Sequence, residues 1–176
     1  LNVTYMFTRG VHQYLTNNVT APAFDSATYT VIGPTPTVYN YQFQSGGVYK
    51  QHQIIATGNT QFHHLSLHAS YTFNEAKSDT QGVPYVPSVA QDPGLDYGKA
   101  NFGIKNRLFL LATYAAPHGI VIAPLLAAQS GTPYNLVIGS DLTGNNQFNA
   151  RPTYGVCGAA DVITTPYGFL DTNPTG

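Results

Sequence analysis

Charged side chains are scarce in this chain of 176 residues, which has 7 Lys and Arg together and 8 Asp and Glu together. Charged residues make up 9% of the sequence, whereas about 25% is usual in a soluble domain. This scarcity excludes an ordinary charged surface. The net charge of -1 does not suggest a nucleic-acid partner, and none is expected.

Cysteine and strong helix formers are also scarce. Cys157 is the only cysteine, which excludes an intramolecular disulfide framework and a multi-cysteine metal site. Glu75 is the only glutamate, while 17 Gly and 12 Pro interrupt helices throughout the chain. Long helices are therefore excluded, and the abundant Thr, Asn, Gln, Tyr and Phe residues favour strands.

Two segments alternate between apolar and polar residues, as strands with one wet face do. Residues 1–9 alternate with Met6 as the one apolar exception, and residues 64–74 alternate over a longer span. At about 3.3 Å per residue the second segment covers about 36 Å, enough for a tilted strand to cross a bilayer core. We expect one face of this strand to contact lipid and the other to line a lumen. The predicted lipid-facing residues are Leu65, Leu67, Ala69, Tyr71 and Phe73, and the predicted lumen-facing residues are His64, Ser66, His68, Ser70 and Thr72.

A predicted hairpin follows, with strands 104–115 and 120–130 joined by a turn at 116–119 that contains Pro and Gly. Taking Arg107 as lumen-facing predicts that Leu108, Leu110 and Tyr114 face lipid. Phe109 and Leu111 then face the lumen, so the alternation is weaker here. A membrane helix is excluded, because the turn interrupts the apolar run before it reaches the roughly 20 residues needed.

A fifth strand is predicted at 49–58, and the links between strands then alternate in length. The links 59–63 and 116–119 are short, whereas 10–48 and 75–103 are long and rich in Gly, Pro, Asn and Tyr. Outer-membrane barrels place short turns in the periplasm and long loops outside. The predicted fold is therefore all-β, an antiparallel meander of long strands forming part of a transmembrane β-barrel with long outer loops. A secreted β-sandwich is the alternative, although its outer faces would normally carry more charge.

Three features of the sequence are candidates for chemical sites. His64 and His68 lie about 13 Å apart if they are on a strand, too far to share a metal ion. The stretch 141–149 is faintly like a calcium loop but lacks a bidentate acid, so a turn is expected. Neither Glu75 nor Ser130 has a catalytic partner arrangement in the sequence. We therefore expect no catalytic residue, metal site or cofactor, and no enzyme activity.

Several motifs together resemble one family. The stretch 106–119 (NRLFLLATYAAPHG), then 130–135 (SGTPYN) and 139–152 (GSDLTGNNQFNARP), resembles the barrel of TonB-dependent outer-membrane transporters of the Oar-like group, whose plug commonly follows a carboxypeptidase-regulatory-like domain. Residues 5–22, 65–82 and 165–174 look like further segments of the same barrel, so the resemblance covers most of the chain. The family loop often carries acids where this chain has Asn145 and Ala150, which argues against a metal role there.

The resemblance implies a barrel of about 22 strands with a plug and a TonB-contacting segment before it. The chain would then be a partial barrel domain, 1–176, incomplete at both ends. Implied partners are outer-membrane lipid, the TonB complex through the missing N-terminal region, and an extracellular ligand. Uptake of a bulky, neutral ligand such as a glycan or peptide is expected, because the loops contain few ionic residues. The candidate ligand-contact residues lie in the loops and are Tyr39, Tyr41, Phe43, Tyr85, Asp141, Asn145, Asn149 and Arg151.

The competing hypothesis is an outer-membrane adhesin or structural barrel protein without energised transport. Tyr39, Tyr41 and Phe43 would suit contact with carbohydrate or protein equally well in either case. They could also belong to a strand that extends above the membrane, and this alternative has about equal support from the alternation.

Overall fold

The structure is a computed structural model that describes residues 1–174. The fold is all-β, and its sheets are antiparallel, as the sequence predicted. The strands in chain order are β1 (Asn2–Asn18), β2 (Ala23–Asp25), β3 (Thr30–Ile32), β4 (Tyr41–Phe62), β5 (Leu65–Ser78), β6 (Gly98–Lys99), β7 (Asn106–Ala115), β8 (Val121–Ile122), β9 (Leu125–Gln129), β10 (Thr153–Tyr154), β11 (Val162–Thr165) and β12 (Gly168–Asp171). Short 3-10 helices occupy Pro93–Asp96 and Pro117–Gly119. Among residues 1–174, no helix is both long and apolar enough to cross a membrane.

The chain divides into two compact units. The sheet unit contains Leu1–Gly10, Tyr49–Ser78 and Gly98–Tyr134. The loop unit contains Val11–Val48, Asp79–Tyr97 and the described residues from Asn135 onwards.

A seven-stranded sheet, in the order β1-β4-β5-β7-β8, provides the frame of the sheet unit, with β6 paired to β5 and β9 paired to β7. In the part of the chain that the structure describes, β1 forms one edge and β8 and β9 form the other. The buried side chains of this unit gather near the end of β5 and include Ala76, Ser78 and Ala100. From Leu65 to Phe73, no β5 residue is buried. Here the sheet is a single layer with two accessible faces.

The hairpin of β4 and β5 is continuous from Tyr49, paired with Ser78, to Phe62, paired with Leu65. His63 and His64 form the turn, and His63 adopts a left-handed backbone with φ 48°, as the tight turns of hairpins require. The predicted strand 49–58 was therefore too short, as were 1–9 and 64–74. His64, predicted as a lumen-facing strand residue, lies in the turn instead.

The predicted strand 120–130 is interrupted in the structure. β8 ends at Ile122, and β9 begins at Leu125, with Pro124 between them. Proline has no backbone N–H to donate to a ladder, so it breaks the pairing. Its carbonyl still accepts a hydrogen bond from the N–H of Ala112 at 3.1 Å, which holds the interrupted strand against β7.

The loop unit contains more structure than the predicted loops 10–48, 75–103 and 131–176 implied. β2 pairs with β3 in a hairpin, and β10, β12 and β11 form a three-stranded sheet. The buried residues of this unit are both apolar and polar, and Leu15, Ala150 and Asn145 are among the most buried. Side-chain hydrogen bonds link its segments to one another.

Candidate functional site

The register of the sheet unit brings all of the predicted lipid-facing residues onto one face. Leu65 lies opposite Tyr114, Ala69 opposite Leu110, and Tyr71 opposite Leu108. Residues directly opposite in a ladder share a face of the sheet. We call this the apolar face, and its defining residues are Leu65, Leu67, Ala69, Tyr71, Phe73, Leu108, Leu110 and Tyr114.

The apolar face continues across the neighbouring strands. On β4, Ile54 lies opposite Phe73 and Ala56 opposite Tyr71. On β9, Leu126 lies opposite Leu110. In a water-soluble protein an apolar face of this extent would be covered by a second layer. Within the described residues of the sheet unit, none of these side chains is buried.

Aromatic side chains stand at both ends of the apolar face. At the turn end, Phe62, Leu65 and Tyr114 form one row across three strands. At the other end, Phe73 and Tyr71 are joined by Tyr5 and Phe7 of β1, which pack against His52. The Tyr5 hydroxyl also lies 2.8 Å from His52 Nδ1. On β5, Leu65 lies in the row at the turn end and Phe73 lies at the other end. These two residues are about 26 Å apart at about 3.3 Å per residue.

The opposite face, which we call the polar face, carries the predicted lumen-facing residues other than His64, which lies in the turn. Ser66, His68, Ser70 and Thr72 alternate with the apolar residues along β5, and Arg107 lies opposite Thr72. His68 Nδ1 lies 2.6 Å from Asn59 Oδ1, so this imidazole is engaged by a neighbouring amide. Phe109 and Leu111 also lie on this face, as the sequence predicted. Two open grooves follow it, of about 420 Å³ beside His68 and about 450 Å³ beside Arg107.

A buried carboxylate organises one part of the loop unit. Asp96 accepts hydrogen bonds from the Tyr85 hydroxyl at 2.5 Å and from the backbone N–H and hydroxyl of Ser88, both at 2.7 Å. Arg151 Nε lies 2.7 Å from the same carboxylate. Two of the predicted ligand-contact residues, Tyr85 and Arg151, therefore meet at Asp96, which the sequence analysis did not single out.

The surroundings of Asp96 change the proton affinities of its partners. Burial, followed by the hydrogen bond to Asp96 and the charge of that carboxylate, raises the pKa of Tyr85 above its ordinary value. Burial opposes the charge on Arg151, but Asp96 and Tyr85 raise the pKa of Arg151 overall. Tyr85 is therefore held neutral and Arg151 charged.

Asparagine side chains hold the segment 86–90 in place. Asn149 Nδ2 donates to the carbonyl of Val86 at 2.9 Å, and Asn145 Nδ2 donates to the carbonyls of Pro87 and Ser88. Asn17 Nδ2 donates to the carbonyl of Ala90 at 2.8 Å. Backbone carbonyls buried away from water need such donors. These side-chain amides therefore donate to the backbone carbonyls of a segment that is not part of a strand.

The predicted turn at 141–149 is closed by its own side chains. The Asp141 carboxylate accepts from the backbone N–H groups of Asn145 and Asn146 at 3.1 and 2.8 Å. Asn145 Oδ1 accepts from the backbone N–H of Gln147 at 2.8 Å. Within residues 1–174, no group of three or more His, Cys, Asp or Glu residues is placed to hold a metal ion.

The alternating aromatic residues 39–43 divide between two environments. Tyr41 and Phe43 belong to β4, which confirms the expectation that this set could be part of a strand, whereas Tyr39 precedes the strand. The Tyr41 hydroxyl donates to the carbonyl of Asn145 and accepts from Gln147 Nε2. Phe43 is 73% exposed, so it remains accessible to a ligand.

Sequence reasoning missed the buried polar residues Asp96, Ser88 and Asn17. One signal was present in the sequence: Asp96 lies in the Pro- and Gly-rich stretch 92–98, and aspartate in such a stretch often closes a turn.

No family model, no curated protein sequence and no solved structure matches this chain.

Proposed function

We propose that this chain is part of the β-barrel of a TonB-dependent outer-membrane transporter of the Oar-like group. In this proposal the apolar face contacts outer-membrane lipid, the polar face lines the barrel lumen, and the loop unit lies outside the cell. The transporter imports a bulky, neutral ligand such as a glycan or peptide. TonB acts through the N-terminal plug region, which is not part of this sequence.

The observation that carries the membrane assignment is the single-layer sheet with one apolar and one polar face. An apolar band bounded by aromatic residues at both ends, with polar residues on the other face, is what a barrel wall requires. The aromatic ends are about 26 Å apart along the strand, which gives about 20 Å of height for a strand tilted by about 40° and so covers most of the about 25 Å of an outer-membrane apolar band. Transport is supported by the motifs at 106–119, 130–135 and 139–152.

The charges of the loop unit support a ligand that is not anionic. Its cation is Arg151, which is paired with Asp96, while its carboxylates are those of Asp25, Asp79, Asp92, Asp96, Asp141, Asp161 and Asp171. An anionic ligand would be repelled by this surplus and would need converging Arg or Lys side chains. Neutral polar and aromatic side chains dominate instead.

The test is uptake by the intact protein in cells with and without TonB. Neutral oligosaccharides and peptides carrying a fluorescent label serve as probes, and an anionic iron chelate serves as the comparison. We expect accumulation of a neutral probe only when TonB is present. Entry that does not depend on TonB, or selectivity for the anionic chelate, would contradict the proposal.

The alternative, an adhesin or structural barrel without transport, is favoured by one observation. Tyr154 is 84% exposed on the small sheet of β10, β11 and β12, and Phe43 is exposed as well. Such side chains bind sugar rings or protein surfaces without any need for uptake. Binding of a labelled probe at the cell surface, equal with and without TonB and followed by no accumulation, would favour the adhesin.

A further inference from the structure

The fold separates the few charges of this chain by sign. In the sequence the seven basic residues are spread over all segments, but six of them lie in the sheet unit and only Arg151 lies in the loop unit. Glu75 is the one acidic residue of the sheet unit. The basic residues of the sheet unit are Arg9, Lys50, Lys77, Lys99, Lys105 and Arg107. A nearly neutral sequence thus contains a strongly basic sheet.

Three of these residues form a row across adjacent strands. Lys50 of β4 lies directly opposite Lys77 of β5, and Lys77 lies directly opposite Lys99 of β6. Cβ atoms of directly opposite residues are about 4.5–5.5 Å apart, and like charges in such positions destabilise a sheet. All three lysines are exposed. The row therefore concentrates positive charge that a bound anion would stabilise.

The row lies on the same side of the sheet as the apolar face. Lys77 follows Phe73 by four residues along β5, and alternation places both on one face. Lys105 Nζ lies 5.8 Å from the centre of the Phe73 ring, which brings a fourth lysine to the same side. Arg9 follows Phe7 by two residues in β1, so it too lies on this face.

One carboxylate is present among these cations. Glu75 Oε1 lies 3.0 Å from Lys77 Nζ, and both side chains are about half exposed. A solvent-exposed ion pair of this kind contributes about 0–1 kcal/mol. Asp79, which follows Lys77 by two residues in the sequence, adds a second carboxylate near the end of β5. Four lysines and Arg9 still outnumber these two acids, so the net charge of this part of the chain is positive.

We infer that this basic row binds the phosphate groups of a lipid headgroup at the outer surface of the membrane. The inference rests on the proposed function, which places the apolar face in lipid. In that arrangement the cluster lies just beyond the aromatic residues, at the end of β5 remote from the tight turn. Lysine binds phosphate as a point charge, and clusters of basic residues beside a membrane-spanning segment bind anionic headgroups.

The position of the row favours a lipid over a soluble anion. A ligand captured for transport must enter the lumen, whereas the row lies on the face that carries Phe73 and Tyr71. Arg107, the remaining cation of the sheet unit, lies on the opposite face beside Thr72. The long aliphatic stems of the lysines can follow the apolar surface while the ammonium groups reach the headgroups.

The experiment measures binding of lipid A, a glycolipid with two phosphates, to the intact protein in a neutral detergent. The variant is Lys50→Gln with Lys99→Gln, and the matched control, Arg107→Gln, removes a positive charge from the other face. At about 1 kcal/mol per lysine near a charged membrane surface, the double variant should bind about 30-fold more weakly. The control and the variant Lys50→Arg with Lys99→Arg should stay within about twofold of the parent.

Two further measurements are needed. One distinguishes lipid phosphate from free phosphate, and the other distinguishes failure of this inference from failure of the proposed function. Inorganic phosphate should not compete with lipid A at equal concentration, and equal competition would overturn a lipid site. Insertion of the parent protein into vesicles of neutral phosphatidylcholine tests the membrane assignment separately. Insertion together with equal lipid A binding by the parent and the double variant would overturn this inference alone. Failure of the parent to insert would overturn both proposals.

Discussion

Arg151 and Asp96, which are 55 residues apart in the sequence, form an ion pair with 2.7 Å between Nε and Oδ1. Asp96 is 5% exposed, so its carboxylate oxygens bond to the donors around it. The carbonyl of Arg151 also accepts a hydrogen bond from the Tyr29 hydroxyl at 2.5 Å. Through its side chain and its backbone, Arg151 therefore ties two other segments of the loop unit together.

Replacing Asp96 by alanine should loosen the segment 85–96. Ser88 and Tyr85 would lose their acceptor, and Arg151 would lose its counter-charge, at a cost of about 3 kcal/mol. Hydrogen exchange of the backbone amides from Val86 to Ala90 should then accelerate. Asp92→Ala removes an exposed carboxylate that caps Gly94 and serves as the control. Equal protection in both variants would show that Asp96 does not hold this segment.

Tyr85 should be among the last tyrosines to ionise. Its pKa is raised by burial and by Asp96, so the folded state retains the proton above the ordinary tyrosine pKa of about 10. The folded state then binds more protons than the unfolded state, and stability falls as the pH rises above about 10. An ultraviolet titration of the parent and of Tyr85→Phe checks this. Loss of an early-titrating tyrosine in the variant would contradict it.

Arginine at neighbouring positions of β5 should have opposite consequences on the two faces. Leu67→Arg places a charge on the apolar face and should cost about 2–4 kcal/mol near the membrane centre. Ser66→Arg places the same charge on the polar face and should be tolerated. Unfolding of the intact protein in lipid vesicles by denaturant gives both free energies. Equal costs would refute the assignment of the two faces.

The thiol of Cys157 should react with a membrane-impermeant reagent on intact cells. Cys157 is exposed and belongs to the loop unit, which the proposal places outside the cell. Cys157→Ser should abolish the labelling. In that background Ile120→Cys, beside the short link between β7 and β8, should remain unlabelled until the outer membrane is permeabilised. The reverse pattern would invert the topology.

Adjacent glycines of β4 should differ sharply in their tolerance of a side chain. A Cβ at Gly47 would lie 2.5 Å from Thr80 Cγ2 and 3.1 Å from Gln13 Cβ, whereas a Cβ at Gly46 would have no neighbour within 4 Å. Thr80 is buried and its hydroxyl is bonded to the carbonyl of Tyr14, so it cannot move away easily. Gly47→Ala should therefore cost about 1–3 kcal/mol. Gly46→Ala should have little effect on stability. Thermal unfolding of both variants measures the difference, and equal stabilities would contradict the prediction.

The long strands of the sheet could be predicted because their alternation is a local signal. The faces of β5 and β7 follow from residue order alone, since side chains alternate across a strand. The ends could not be predicted. β4 continues to Tyr41 through Ser45, Gly46 and Gly47, which lack apolar alternation, and this stretch lies beyond the residues of β4 that pair with β5.

The interior of the loop unit could not be predicted from the sequence for a different reason. Its order depends on hydrogen bonds between residues distant in the chain, such as Asn145 with Pro87 and Asn17 with Ala90. An asparagine in a loop has the same appearance in the sequence whether it is solvated or buried. The lysine row could not be predicted either, because Lys50, Lys77 and Lys99 are brought together only by the register of the sheet.

The two-residue turn at His63 and His64 has a consequence for the order of folding. β4 and β5 can pair outward from this turn with almost no chain to close, so their contacts carry the smallest loop-closure entropy in the sheet. Strand β1 reaches β4 only after the long segment between Val19 and Asn40. Because local contacts form fastest, the β4–β5 hairpin should assemble first and provide the template to which β1 and β7 are added across their longer links, 19–40 and 79–105.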